Sequence, residues 1–286
     1  MILILYFMGI FNNIGSGGTK KIEQALALWK QKQYDEVIEI TSEILDNQPL
    51  NEYALALQGF AYYYTGIWQV IEEDKINRLD QAVVSLRKSL LKEEYELTGN
   101  IYYVLGQTYY HKGKYYHDSA VLYLNKSLDS EYSGPHVHEY LSLAYAGLEQ
   151  YEESVYHFKK AIEIGENDKY LLYRDLAQTY IKWDKLEEAE DNLVKVISEA
   201  DDADIVEKSR FLLGDVYYKL GNYTEAEEQY LKILEMNPQS AEAYFQLGEV
   251  YRAADDDPLH ARARVAWRKA RELDPDHLGA LKRLNE

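Results

Sequence analysis

The last third of the chain repeats itself. Leu213-Gly214, Tyr217, Ala226, Tyr230 and Pro238 return as Leu247-Gly248, Tyr251, Ala263, Trp267 and Pro275, and Gly214 to Gly248 is 34 residues. A chain with a fixed period of this length builds one supersecondary unit many times over. Walking back, the place of Gly214 is taken by Ala177, Ser142, Gly106, Gly59 and Ala25, all small, at intervals of 37, 35, 36, 47 and 34 residues. Three residues after each of the six later ones stands a tyrosine: Tyr62, Tyr109, Tyr145, Tyr180, Tyr217 and Tyr251. In the second half of each unit a small or apolar residue is followed four later by a large one, with Thr41 the weakest match: Val37/Thr41, Ala82/Leu86, Ala120/Leu124, Ser154/Phe158, Ala189/Leu193, Ala226/Tyr230 and Ala263/Trp267.

Within one period two apolar stripes are legible. Leu213, Tyr217 and Leu220 fall at i, i+4, i+7, and Ala226, Tyr230, Ile233 and Leu234 at i, i+4, i+7, i+8, the spacing of two amphipathic helices. Gly221 is placed to end the first helix, Thr224 with Glu227 has the spacing of a capping box for the second, and Asn237-Pro238 stops it. A glycine inside a helix costs about 1 kcal/mol relative to alanine, so the recurring small residue predicts close approach of the partner helix in the same hairpin. No hairpin buries its apolar face alone, so each must stack on the next and the ends need caps. Residues 275–286 read as a closing helix whose Leu278, Leu281 and Leu284 cover the last repeat while Lys282 and Arg283 face water.

The period and its L-G-x₂-Y, A-x₃-(large), P pattern resemble the tetratricopeptide-repeat family. The resemblance implies an all-α, right-handed superhelical solenoid of about seven helical hairpins, with repeats near 18–51, 52–98, 99–134, 135–169, 170–206, 207–240 and 241–275 and a cap over 276–286. Residues 1–18 stand apart as an apolar segment, leaving 19–286 for the solenoid. Two departures from the pattern stand out. About 11 extra residues around Trp68 to Arg78 lengthen the second hairpin's helices or add a wing, and three more, including Asp255 to Asp257, lie between Arg252 and His260. In the family the first helix of each hairpin lines a concave face where side chains near positions 2, 5, 9, 12 and 13 of the repeat meet the ligand. Carried over by register, the partner-contacting set is Tyr103, Glu139, Arg174, Phe211 and Phe245 at position 5; Phe60, Gln107, Gln178, Asp215 and Glu249 at position 9; and Tyr63, Tyr110, Tyr218 and Arg252 at position 12. The lysine and asparagine clamp by which some members hold a C-terminal carboxylate is missing from these positions. Tyr63, Tyr64, Tyr110 and Tyr116 have a plainer alternative, packing between neighbouring hairpins.

Composition narrows the function. A formal charge of −18 repels a phosphate backbone, which argues against nucleic acid as partner. With 28 tyrosines against 6 phenylalanines, most rings can bury a face and keep a hydroxyl at a wet edge. Zero cysteines rule out disulfides and thiol chemistry without naming a compartment. Met1 to Phe11 has the length of a signal-peptide core but no cation ahead of it beyond the terminal amine, so envelope or periplasmic placement and membrane association through this segment stay open beside a cytoplasmic one.

Neither a phosphate loop nor a zinc motif is present, and no cofactor or metal is expected. His136-x-His138 and the acidic runs Asp201, Asp202, Asp204 and Asp255 to Asp257 read as surface features. Arg262, Arg264, Arg268, Lys269 and Arg271 form a basic face that either meets an acidic patch of another subunit or balances nearby aspartates. The expected function is a non-enzymatic scaffold or adaptor of bacterial type that holds a basic or amphipathic protein or peptide in its groove. The second reading is an accessory subunit of an envelope transport or assembly complex that handles a small ligand.

Overall fold

Two apolar stripes per period call for two helices per period, and the chain folds accordingly. The structure, a computed structural model, describes residues 19–91, 96–130, 136–165, 169–254 and 257–286; the opening segment 1–18 and the residues Asp255 and Asp256 lie outside it. The described residues form α-helices joined by short turns, with no strand among them. They divide into two compact units, up to His157 and from Phe158 onward. The first contains α1 (Thr19–Lys30), α2 (Tyr34–Asn47), α3 (Glu52–Ile67), α4 (Glu72–Ser89), α5 (Thr98–His111), a 3-10 turn at Lys114–Tyr116, α6 (His117–Asp129) and α7 (Val137–Gly147). The division falls inside α8 (Tyr151–Ile164). The second holds α9 (Lys169–Lys182), α10 (Leu186–Glu199), α11 (Ala203–Leu220), α12 (Tyr223–Met236), α13 (Ala241–Ala253), α14 (Asp257–Leu273) and α15 (Leu278–Asn285).

Each core is the sum of the stripes. Leu57, Phe60, Leu79, Leu86, Ile101, Leu105, Leu124 and Leu141 are buried in the first unit. Tyr230, Ile233, Leu247, Val250 and Trp267 are buried in the second. Each buried Leu, Ile, Val or Phe contributes about 1.5–3 kcal/mol; the apolar stripe widens to nearly the whole circumference in α3 and α5, where Ala54 to Leu57 and Tyr103 to Tyr109 are buried in unbroken runs.

The recurring glycine sits where two helices of one hairpin meet. A Cβ on Gly59 would lie 2.5 Å from Leu86 Cγ, on Gly106 2.5 Å from Leu124 Cγ, on Gly214 2.6 Å from Tyr230 Cζ, and on Gly248 2.2 Å from Trp267 Nε1. The large member of each second-helix pair therefore fills the space the missing side chain leaves.

The turn inside the hairpin also recurs. Lys32, Glu149, Asp184 and Gly221 all have left-handed backbones, with φ of 60°, 63°, 59° and 79°. The next N–H in each case reaches five residues back: Gln33 to Leu28, Gln150 to Tyr145, Lys185 to Tyr180 and Asn222 to Tyr217, at 2.9–3.0 Å. This is one Schellman closure used four times. Only Gly221 meets the left-handed backbone without steric cost, because it has no Cβ. Lys32→Gly is therefore expected to stabilise the chain by about 0.5–1 kcal/mol in chemical unfolding; no gain would mean that the turn is not strained by its side chain.

The start of α12 and the closing helix depart from the sequence reading, and the second hairpin takes the first of the two forms it allowed. The capping box does not form: Thr224 lies inside α12, whose N-cap Asn222 makes no side-chain cap bond. Glu227 instead accepts from the Tyr251 hydroxyl and from Arg262, each at 2.7 Å, because both donors of the following hairpin lie within its reach. Caps do form at Asn51, Asp202 and Ser240, so the acidic run at Asp201 to Asp204 serves as a helix start. The extra residues of hairpin two go into length, giving helices of 16 and 18 residues joined by a tip where Trp68, Val70 and Ile71 are 79%, 98% and 62% exposed. At the C-terminus α15 buries Ala280 in place of Leu278, which is 82% exposed. Arg283, read as solvent-facing, donates to both carboxylate oxygens of Glu249 at 2.9 and 2.7 Å.

Candidate functional site

Because every first helix uses the same face for the same register, the positions marked in the sequence can be followed helix by helix. In the first unit α3, α5 and α7 bring tyrosines together. Tyr110 and Tyr140 meet edge to face at 5.4 Å between ring centres, and Tyr103 lies 6.5 Å from Tyr140. His111 Nε2 is 3.3 Å from the Tyr140 hydroxyl, while Gln107 donates to the Tyr103 hydroxyl at 2.9 Å. Tyr110 is backed on its other face by His117, stacked at 5.3 Å. Burial, with Lys75 second, pushes His111 down to about 4, so the ring is neutral at pH 7. Burial likewise raises Tyr140 above its ordinary range and Tyr63 well above it.

The sequence set divides once packing is seen. Phe60, Tyr63, Tyr103 and Gln107 are at most 7% exposed and belong to the core, a correction to their assignment as partner contacts. Rings supplied by neighbouring first helices fill the space there: Trp29 sits 6.4 Å from Phe60, and His111 6.0 Å from Tyr63. Tyr110 and Glu139 keep partial exposure, with the His136 ring 3.0 Å from Glu139. Tyr140 and His111 were not among the sequence candidates, and Tyr64 was weighed there only against a plainer packing role. Tyr64 and His111 occupy position 13 of their repeats, a ligand-facing position, so register alone could have found them; Tyr140 follows Glu139 and carried no such signal.

In the second unit Gln178 is exposed and Tyr218 is 37% exposed, its ring edge to face with Tyr223. Arg174 is held against Asp175 by two bonds of 3.0 and 2.8 Å. Asp215 accepts from the Tyr230 hydroxyl at 2.7 Å and is raised above the usual carboxylate range by burial. Phe211 packs 6.3 Å from Tyr230. The last three candidates are engaged by the chain itself: Phe245 lies under Gly279 and beside His277, Glu249 is bound by Arg283, and Arg252 stands 3.6 Å from Glu286. Thus α15 covers the end of the face that Phe245 and Glu249 would otherwise present.

The tyrosines three residues after the small position have a different task. Tyr217 and Tyr251 donate to Glu190 and Glu227, on the second helix of the preceding hairpin, at 2.9 and 2.7 Å. Their hydroxyls are pushed up to about 12 by burial first and by those carboxylates second. Among the described residues no group of three or more His, Asp or Glu is placed to hold a metal, and no helix is long and apolar enough to cross a membrane.

Residues 214–253, which hold the sharpest copy of the motif, match the family model for the TPR repeat. This segment carries the tetratricopeptide repeat. A 120-residue stretch is 28% identical to DnaJ homolog subfamily C member 3 of Gallus gallus, a match that spans 42% of this chain and 23% of that one. Among solved structures, the C-terminal part of a TPR repeat-containing protein from Cytophaga hutchinsonii superposes with a TM-score of 0.69 at 17% identity, covering 91% of this chain and 98% of that one. YrrB, a TPR protein with an unusual peptide-binding site, superposes with a TM-score of 0.52 at 21% identity over 70% of this chain and 98% of its own. At these identities the structural likeness is one of fold.

Proposed function

We propose that this chain is a tetratricopeptide-repeat scaffold that binds a protein partner on the first-helix faces of its hairpins. Tyr110, Glu139 and Tyr140 form the contact in the first unit, and Gln178 and Tyr218 form it in the second. The observation that carries this reading is the Tyr110, Tyr140 and His111 cluster, in which rings from two first helices are already locked against one another. Rings ordered before binding offer contact area without a further entropic cost, which is why tyrosine anchors interfaces. Glu139 beside them and the −18 charge favour a basic or amphipathic segment. That YrrB has a peptide-binding site adds weight to a peptide ligand.

The test is recovery of a stoichiometric protein from lysate of the source cells, with the wild type set against Tyr110→Ala combined with Tyr218→Ala. Tyr63 is unsuited to this purpose because it is buried. Recovery is expected to fall by about tenfold or more while circular dichroism at the binding temperature still reports a folded, helical chain. Undiminished recovery by the double variant would remove the first-helix faces from consideration, and a strongly acidic partner would remove the charge argument.

A further inference from the structure

The second unit carries another surface, built on a different face. A groove of about 770 Å³ lies between α12 and α14, over α13. Its floor is Tyr244, Leu247 and Tyr251, which sit roughly 130° around α13 from Phe245, Glu249 and Arg252 at 3.6 residues per turn. The walls bring Leu231 from α12 and Val265 from α14, and these remain 43% and 62% exposed. One end is closed by Tyr251 and Arg262, which both bond Glu227 at 2.7 Å. Glu235 and Lys269 line the groove toward the other end.

The two walls differ in charge. Helix α12 brings Glu235 to the groove and Glu227 to its closed end, while Glu228 is paired with Lys232. Helix α14 turns Arg262 and Lys269 toward the groove, while Arg264 lines a different face of the helix. Across the groove these two cations face Glu235 and, at the closed end, Glu227. From Arg262 to Lys269 the groove runs about 10 Å, two turns of helix, and a helix is about 10–12 Å across. Walls and floor are helical, so their backbone bonds are spent internally and none can pair with an extended peptide. A helix brings its own backbone bonds satisfied.

We infer that this groove receives an amphipathic helix of a protein partner, with apolar residues at i, i+4, i+7 on the floor, acidic residues along the edge at α14 and basic residues along the edge at α12. Opposite charge on the two walls orients the helix, since reversing its direction would set both edges against like charge. This surface stands apart from the first-helix faces, and their variants are expected to leave it unaffected.

The probe is a fluorescein-labelled designed helix of about fourteen residues, roughly four turns, with a leucine stripe, glutamate along one edge and lysine along the other. Binding to the full chain is read by fluorescence anisotropy. Peptides with glutamate on both edges, or lysine on both, are expected to bind about tenfold more weakly, because one edge then always meets like charge. Val265→Glu is expected to weaken the mixed peptide by about tenfold or more. Val265 is 62% exposed, so the variant's melt should match wild type. Lys269→Glu should narrow the preference over the all-lysine peptide. Equal binding of the three peptides, or unchanged binding to Val265→Glu, overturns the inference. So does a chain that sediments as a dimer, falls to monomer on Val265→Glu and binds none of the peptides, for the groove then belongs to a second copy.

Discussion

Gly106→Ala is expected to lower stability by about 2–3 kcal/mol, although the same change in an exposed helix would raise it by about 1 kcal/mol. The new Cβ would stand 2.5 Å from Leu124 Cγ and 3.1 Å from the Leu124 backbone nitrogen. Leu124 is wholly buried, so its side chain has no open volume to enter, and relief requires α5 and α6 to separate. Chemical unfolding measures the loss, and a double variant tests the cause. Leu124→Ala alone should cost about 2–5 kcal/mol. Combined with Gly106→Ala it should cost clearly less than the sum, since truncating Leu124 removes the clash. Strictly additive losses would mean that the two residues do not compete for one space.

Acid is expected to destabilise the first unit through two histidines. His157 Nδ1 lies 2.8 Å from His138 Nδ1, and the His157 ring stacks on Tyr145 at 5.4 Å with an interplanar angle of 11°. In such a contact one imidazole donates and the other accepts, which excludes the doubly charged pair. Burial first and His138 second hold His157 down to about 4; burial and Lys75 do the same for His111. In the unfolded chain both titrate near 6.5.

Between about pH 6.5 and 4 the unfolded state thus binds more protons than the folded one, and stability rises with pH. It is full above the unfolded value and falls as pH drops through the window, by at most about 1.4 kcal/mol per pH unit for each histidine. Carboxylates, including the buried Asp215, titrate in part of the same range, so the informative quantity is a difference between variants. Melts of wild type and His157→Gln between pH 7.5 and 4.5 should converge as pH falls, the variant having lost one acid-sensitive group. Parallel curves would show that His157 is not held neutral by the fold.

How much was legible beforehand can be argued from single residues. The pairing of Gly59 with Leu86, Gly106 with Leu124, Gly214 with Tyr230 and Gly248 with Trp267 was readable as a small position and a large position within one period, and each pair is in contact. Register likewise pointed to Tyr110 and Tyr218, which keep exposed surface, but also to Phe60 and Tyr103, which do not. Nothing within one repeat distinguishes these cases. What buries Phe60 includes Trp29, one hairpin earlier, and what covers Phe245 is Gly279, from the closing helix. The Thr224 and Glu227 motif misled for the same reason: its carboxylate had better donors in the next hairpin.

The sequence by itself determined the all-α class, the two helices per period, the small-against-large contact that closes each hairpin and the absence of thiol chemistry. These follow from spacing and residue type, which act over a few turns of chain. Only the tertiary structure decided which first-helix side chains are core and which are surface, that α15 covers Phe245 and Glu249, that two histidines share one contact, and that Glu227 and Glu235 face Arg262 and Lys269 across α13. Those outcomes depend on the bulk and charge of residues a whole repeat or more away, and a local pattern holds no information about them.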